Sequence, residues 1–105
     1  MEIGKVIGTI TSTVKHETYL NKKLLVVQEL NLKGEANGTV RIAVDYVGAG
    51  LGDLVLFGGA PGVAAEVFSV DKAPIKDLIM GIIDHFEVDN KQIMTLYDDV
   101  KEKRD

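Results

Sequence analysis

The sequence predicts an all-β domain closed into a small barrel. Three observations carry the prediction: β-branched runs alternate apolar and polar residues at period 2, glycine clusters separate those runs at short intervals, and the chain is only 105 residues long. That length sets one domain, large enough to bury a core without covalent staples. No internal repeat, low-complexity tract or interdomain linker breaks the pattern.

Residues 5–15, KVIGTITSTVK, read as the first strand. Val6, Ile10 and Val14 share one face, and Lys5, Thr9, Thr11 and Thr13 the other. Gly4 and Gly8 mark a bend or a close approach of another backbone. Residues 23–30, KLLVVQEL, form a second strand, apolar on both faces at its centre, as though covered from two sides. KGEANG (33–38) then supplies a turn, with Asn37-Gly38 the hairpin signal because both residue types tolerate φ > 0. Residues 39–47, TVRIAVDYV, form the third strand, with Val40, Ile42, Val44 and Tyr46 opposite Thr39, Arg41, Ala43 and Asp45. Residues 53–57, DLVLF, form the fourth. GGAPGVAAEVFSV is a Gly/Pro loop, a helical turn and a short strand. DKAPIKDLI is a brief helix with Pro74 early in it, where a missing N–H costs nothing. MGIIDHFEV (80–88) has strand composition. From Asn90 the period changes. Ile93, Leu96, Tyr97 and Val100 follow i, i+3, i+4, i+7, so a C-terminal helix with Asn90 as N-cap is expected. The closing KEKRD is expected to fray.

Composition excludes several chemistries. There are no cysteines, hence no disulfide, thiolate metal site or cysteine nucleophile. Sixteen acidic against twelve basic residues give a net charge of −4, which disfavours a polyanion as partner. The opening MEIGKVIGTI has no basic segment before an apolar block, so it is not expected to act as a signal peptide. The longest uncharged run, Leu54 to Ala65, is too short for a bilayer and is broken by Gly58, Gly59, Pro61 and Gly62.

The glycines of AVDYVGAGLGDLVLF (43–57) raise the question of a nucleotide loop. Gly48 and Gly50 fit G-x-G-x-x-G, but Asp53 stands where the third glycine belongs, and a strand follows instead of a helix. A tight strand-to-strand connection that needs positive φ or close packing fits better. His16 lies in a polar loop. His85 follows Asp84 with no third ligand nearby, short of a zinc set. Asp45, Asp53 and Asp84 each abut an apolar strand, yet nothing pairs two of them for acid–base work. Asp45 or Asp84 capping turn N–H groups is the better role. Ser12 and Ser69, the only serines, lack a nucleophile-elbow context. A barrel that binds single-stranded nucleic acid or a small ligand is the alternative. It would need aromatic platforms in a basic groove, whereas three Tyr and three Phe with scattered Lys and Arg are present.

Four blocks carry a family resemblance: Gly4-Lys5-Val6-Ile7-Gly8-Thr9; Lys23-Leu24-Leu25-Val26-Val27-Gln28; Ala43 to Val55, the most specific; and Gly81-Ile82-Ile83-Asp84 with Val88. Together and in this order they resemble the EutN/CcmL family, the pentameric vertex proteins of bacterial microcompartment shells. The resemblance spans residues 2 to about 89. It departs at Gly58–Ala65, where the family often has a Gly-Ser-Ser-Ala-Arg-type segment, and after Asn90.

The resemblance implies an OB-like barrel over 1–89 with a C-terminal extension over 90–105. It implies a structural shell protein in the cytoplasm, not an enzyme, and no cofactor or metal. Its partners would be four further copies of itself in a homopentamer, and hexameric shell tiles. Gly48, Gly50, Gly52, Asp45, Gly81 and Asp84 would then serve folding and assembly. Ile93, Leu96, Tyr97 and Val100 would dock the tail on the subunit's own barrel or on a neighbour, with a free cargo-binding peptide as the other option, because a helix that short is marginal alone.

Overall fold

The computed structural model describes residues 1–10, 23–59 and 77–100. They form seven strands: β1 (Glu2–Ile10), β2 (Lys23–Leu30), β3 (Ala36–Asp45), β4 (Leu54–Gly59), β5 (Asp77–Ile82), β6 (His85–Val88) and β7 (Lys91–Thr95). The first five close a barrel in the order β1-β2-β3-β5-β4, and β6-β7 form a separate two-stranded sheet. Every barrel pairing is antiparallel except β3 with β5, which meet in parallel at Val44 and Leu78.

β1 is where the barrel closes. Ile3, Gly4 and Lys5 pair with Leu30, Glu29 and Gln28 on one side and with Leu56, Val55 and Leu54 on the other. Gly4 is buried, and a Cβ there would lie 2.7 Å from Cε1 of Phe57 and 2.9 Å from the Gln28 carbonyl oxygen. The glycine is therefore a close-approach residue: it lets Phe57, the largest fully buried side group, lie across the strand. Ile7 is the extra residue of a bulge between Val6 and Gly8, and bulges coil a strand as closure requires.

The inward face is read from the β2–β3 register. Lys23 pairs with Asp45, Leu25 with Ala43 and Val27 with Arg41. This column is apolar in the middle and ionic at both ends. Leu25, Val27 and Ala43 join Val6, Val55, Phe57 and Ile79 in the core. At one end Arg41 lies over the Phe57 ring, 6.0 Å from its centroid, and faces Asp77 at 3.3 Å, Glu2 at 3.7 Å and Glu29 at 3.9 Å. The polar face of β3 is thus the inner one, because a small barrel has room for Ala43 where a larger residue would overfill it. Leu24, Leu30 and Val44 are buried on the outer side of β2 and β3, so KLLVVQEL is covered on both faces as its composition requires.

The β2–β3 turn falls earlier than Asn37-Gly38. Asn31 and Glu35 bracket a three-residue loop in which Gly34, at φ 77°, donates to the Asn31 carbonyl oxygen at 3.0 Å. The Asn31 side group accepts from the N–H groups of Lys33 and Glu35 at 2.8 and 3.1 Å. Asn37-Gly38 instead forms a bulge inside β3. Gln28 pairs with Val40 and Leu30 with Ala36, so the β3 side carries two extra residues.

The expected C-terminal helix is corrected to a β-hairpin. Val88 pairs with Lys91 across Asp89 and Asn90, whose φ values of 52° and 64° are those of a two-residue primed turn. Asn90 is thus a turn residue rather than an N-cap, and the expected 89/90 boundary falls inside this turn. The cause is tertiary. Strand β7 buries Met94 completely with Leu30 and Leu54, and Ile93, Leu96 and Val100 pack against that cluster. The helical expectation over 71–79 is likewise corrected for Asp77, Leu78 and Ile79, which open β5; its remainder, like the helical turn expected after Gly59, lies outside the described residues. The single strand expected over 80–88 is divided between β5 and β6 at Ile83-Asp84.

Two core substitutions test this packing. Gly4→Ala is expected to destabilise by about 1–3 kcal/mol through overpacking, and Met94→Ala by about 2–5 kcal/mol through cavity formation. Thermal melts at fixed protein concentration should show each as a drop of roughly 4–8 °C per kcal/mol. An unchanged melt for Met94→Ala would show that the hairpin is not part of the cooperative unit.

Candidate functional site

The connection from β3 to β4 is held by the two aspartates at its ends. Asp45 is 6% exposed. Its Oδ1 accepts from the N–H groups of Val47 and Ala49, each at 3.1 Å. Its Oδ2 lies 3.4 Å from Nζ of Lys23, which also donates to the Ala49 carbonyl oxygen. Lys23 thereby ties the first strand of the hairpin to the loop after the second. Asp53 closes the other end: its Oδ2 accepts from the Gly50 N–H at 2.8 Å, and its own N–H donates to the Gly50 carbonyl oxygen at 3.0 Å. The loop is also stitched to β1. The Val6 N–H donates to the Asp53 carbonyl oxygen and the Gly52 N–H to the Val6 carbonyl oxygen, both at 2.9 Å.

This bonding explains the glycines. Gly48 and Gly52 each have φ 88°. Gly52 is the third residue of the Gly50–Asp53 turn, the position at which a type II turn requires positive φ. Gly50 lies outside the left-handed region. A Cβ on any of the three would meet nothing within 4 Å among the described residues. Two of the glycines are thus conformational, and Gly50 has no conformational need and no steric need among the described residues. Ala49, between them, is fully buried in the barrel core. Tyr46, Val47 and Leu51 point outward, Leu51 being 70% exposed.

The other residues selected from the sequence lie elsewhere. Gly81 stands in β5 opposite Leu56, with open space at its Cβ. Asp84, between β5 and β6, accepts at its carbonyl oxygen from the Leu96 N–H at 2.8 Å, linking that connection to the tail. Of the tail residues, Ile93, Leu96 and Val100 pack on the subunit's own barrel, while Tyr97 is 92% exposed. Two lysines and an arginine carry roles that sequence reasoning missed. Lys5 donates to the carbonyl oxygens of Leu96 at 2.7 Å and Asp98 at 3.0 Å, Lys23 completes the Asp45 cap, and Arg41 gathers three carboxylates. Lys23 could have been found by counting back along the hairpin to the residue opposite Asp45; Lys5 could not, because its partners are backbone atoms remote in sequence.

This geometry holds a loop. Both loop aspartates are taken up by backbone donors. Among the described residues, no group of His, Asp or Glu is arranged to hold a metal ion, and no helix is long and apolar enough to cross a membrane. The remaining outward feature is apolar. Ile7 of β1 and Val40 and Ile42 of β3 are exposed on the outer wall, with Ile42 beside Val26 in the register.

Comparison with known proteins gives one consistent family. The family described as "Ethanolamine utilisation protein EutN/carboxysome" matches residues 1–84. The protein is 35% identical over 98 residues to the carboxysome shell vertex protein CcmL of Gloeobacter violaceus, covering 93% of this chain and 97% of that one. It is 39% identical over 90 residues to the bacterial microcompartment shell vertex protein GrpN of Rhodospirillum rubrum, covering 86% and 100%. The solved structure of Gloeobacter violaceus CcmL superposes with a TM-score of 0.81 over 93% of this chain and 100% of that one, at 35% identity. The pentameric microcompartment shell protein GrpN of Rhodospirillum rubrum superposes with a TM-score of 0.73 at 38% identity, over 86% and 100%.

The loop predicts a graded mutational series. Asp45→Ala leaves the buried Ala49 N–H without its acceptor and should destabilise by about 2–4 kcal/mol. Asp45→Asn keeps an acceptor oxygen and should cost less. Lys23→Met should cost less than Asp45→Ala, because Oδ1 keeps both backbone donors while Oδ2 loses a half-exposed ammonium. Gly48→Ala and Gly52→Ala should each cost about 1–2 kcal/mol, whereas Gly50→Ala should change subunit stability by no more than about 0.5 kcal/mol. Urea titrations check the order, and equal losses at all three glycines would contradict the assignment of positive φ to two of them.

Proposed function

The chain belongs to the EutN/CcmL family, and from that premise we propose that it is a shell vertex protein, a structural subunit that forms the corners of a bacterial microcompartment in the cytoplasm. The observation that carries the reading is the match itself: nearly the whole chain aligns, without large gaps in coverage, with relatives that bear this role. The protein is a building block rather than an enzyme. Its loop aspartates are consumed in holding the fold, in agreement with that reading.

The mechanism is geometric. A layer of hexameric tiles is flat, and closing it requires five-fold corners. Five copies in a ring supply one. A cyclic ring uses heterologous contacts, in which one surface of a subunit meets a different surface of the next. The outer wall with Ile7, Val40 and Ile42, and the rigid loop with Tyr46, Val47 and Leu51, are two exposed apolar surfaces available for such contacts. Gly50 then has a reason to be small if a neighbouring subunit lies against it. The strand order β1-β2-β3-β5-β4, with β3 and β5 parallel, supports reading the barrel as OB-like.

That likeness does not favour nucleic acid. The inward Arg41 is already surrounded by Glu2, Glu29 and Asp77, so it offers no free cation to phosphate, and the protein is acidic in total charge.

Native mass measurement at micromolar concentration should give five times the subunit mass, with each contact burying on the order of 800 Å² per partner; a monomer alone would refute the ring. Ile42→Glu should shift the mass distribution to smaller species with little change in circular dichroism. An oligothymidylate titration should show no salt-sensitive binding; tight binding that weakens steeply with salt would instead favour the nucleic-acid barrel.

A further inference from the structure

Asn37-Gly38 has the sequence signature of a turn, yet the fold places it in a bulge where neither residue has a partner of its own on the adjacent strand. We propose that Asn37 is a site of spontaneous deamidation in the native protein. The reaction needs an asparagine whose carboxamide can be reached by the backbone nitrogen of the next residue, and a backbone free to bend around a five-membered ring. Gly38 has no Cβ to obstruct that approach, sits at φ 87° and has nothing among the described residues within 4 Å of where a Cβ would stand. Both residues are exposed. The β2–β3 register passes them by, running from Leu30↔Ala36 directly to Gln28↔Val40. The Asn37 Oδ1 accepts from the Thr39 N–H at 3.1 Å. This bond folds the carboxamide back along the Asn37–Gly38 peptide and polarises its carbonyl group.

The Gly38 nitrogen gives up its proton and attacks Cγ of Asn37. A bond forms between that nitrogen and Cγ, the bond from Cγ to Nδ2 breaks, and Nδ2 leaves as ammonia. Water then opens the cyclic imide at either carbonyl, giving aspartate or isoaspartate. No oxidant or catalyst is required. The product adds one negative charge to a protein of net charge −4, beside Val40 on the outer wall. Isoaspartate also inserts one backbone carbon at the bulge where Gln28 Nε2 donates to the Thr39 carbonyl oxygen at 3.0 Å.

The fold supplies internal controls. Asn31 precedes Leu32, and its side group is engaged by the N–H groups of Lys33 and Glu35 and by the Glu35 carboxylate. Asn90 precedes Lys91 in a two-residue turn. The native protein, the Gly34–Arg41 peptide and the protein unfolded in urea are incubated in parallel in mildly alkaline buffer. Tryptic digestion with mass spectrometry then locates the mass gain, and labelling by an isoaspartate methyltransferase reports the isomer. Asn37 in the native protein should convert within about tenfold of the free peptide rate, and at least about tenfold faster than Asn31 or Asn90, the factor that about 1.4 kcal/mol of barrier represents. Asn37→Ser, which keeps an oxygen acceptor for Thr39, should abolish the methyltransferase label. Conversion in the peptide and the unfolded protein but not in the native protein would overturn the proposal, as would equal rates at Asn31, Asn37 and Asn90.

Discussion

The fold depends on β1 being paired on both edges. Ile3, Gly4 and Lys5 each have a partner in β2 and another in β4, so the sheet has no free edge over those residues. The constraint propagates. A strand paired on both sides and curled around a core needs a residue with no Cβ where Phe57 crosses it, which is Gly4. Two residues on, Val6 turns its own N–H and carbonyl oxygen to Asp53 and Gly52. The loop between β3 and β4 is therefore an extension of barrel closure, not an appendage to it.

Seen from that loop, the two ionic ends of the β2–β3 column have different tasks. At the Lys23–Asp45 end, the carboxylate is buried, with Oδ1 taken by two backbone donors and Oδ2 facing the lysine. At the Arg41 end, one guanidinium is shared among three carboxylates and rests on Phe57. A central cation of this kind cannot be removed without leaving like charges together. The first end fixes a local conformation; the second draws β1, β2, β3 and β5 together around one residue.

Strands β1 to β4 were legible in the sequence from β-branched and apolar runs: β2 reads apolar on both faces and is covered on both, and β4 is a short apolar run. The glycine loop was legible as a turn, but not which of its glycines needed φ > 0, since that depends on which N–H groups the aspartates capture. Two errors have the same root. Asn37-Gly38 and Asp89-Asn90 both tolerate positive φ, and only pairing partners distinguish a bulge from a hairpin turn. The apolar spacing from Ile93 to Val100 mimicked a helix because a strand followed by a turn and an extended segment can place residues at the same intervals. Met94, the one residue there that is fully buried, lies off that helical stripe.

The clamp from Lys5 to the carbonyl oxygens of Leu96 and Asp98 joins positions 91 and 93 residues apart. Contacts of such separation form late in a growing polypeptide, because the ribosome delivers the acceptors long after the donor. A nascent polypeptide that ends at Thr95 has β1 and the whole β6–β7 hairpin in hand but neither acceptor for Lys5. The two bonds of Lys5 thereby wait on synthesis of residues 96–98, and a product truncated before them lacks the acceptors that tie β1 to the tail.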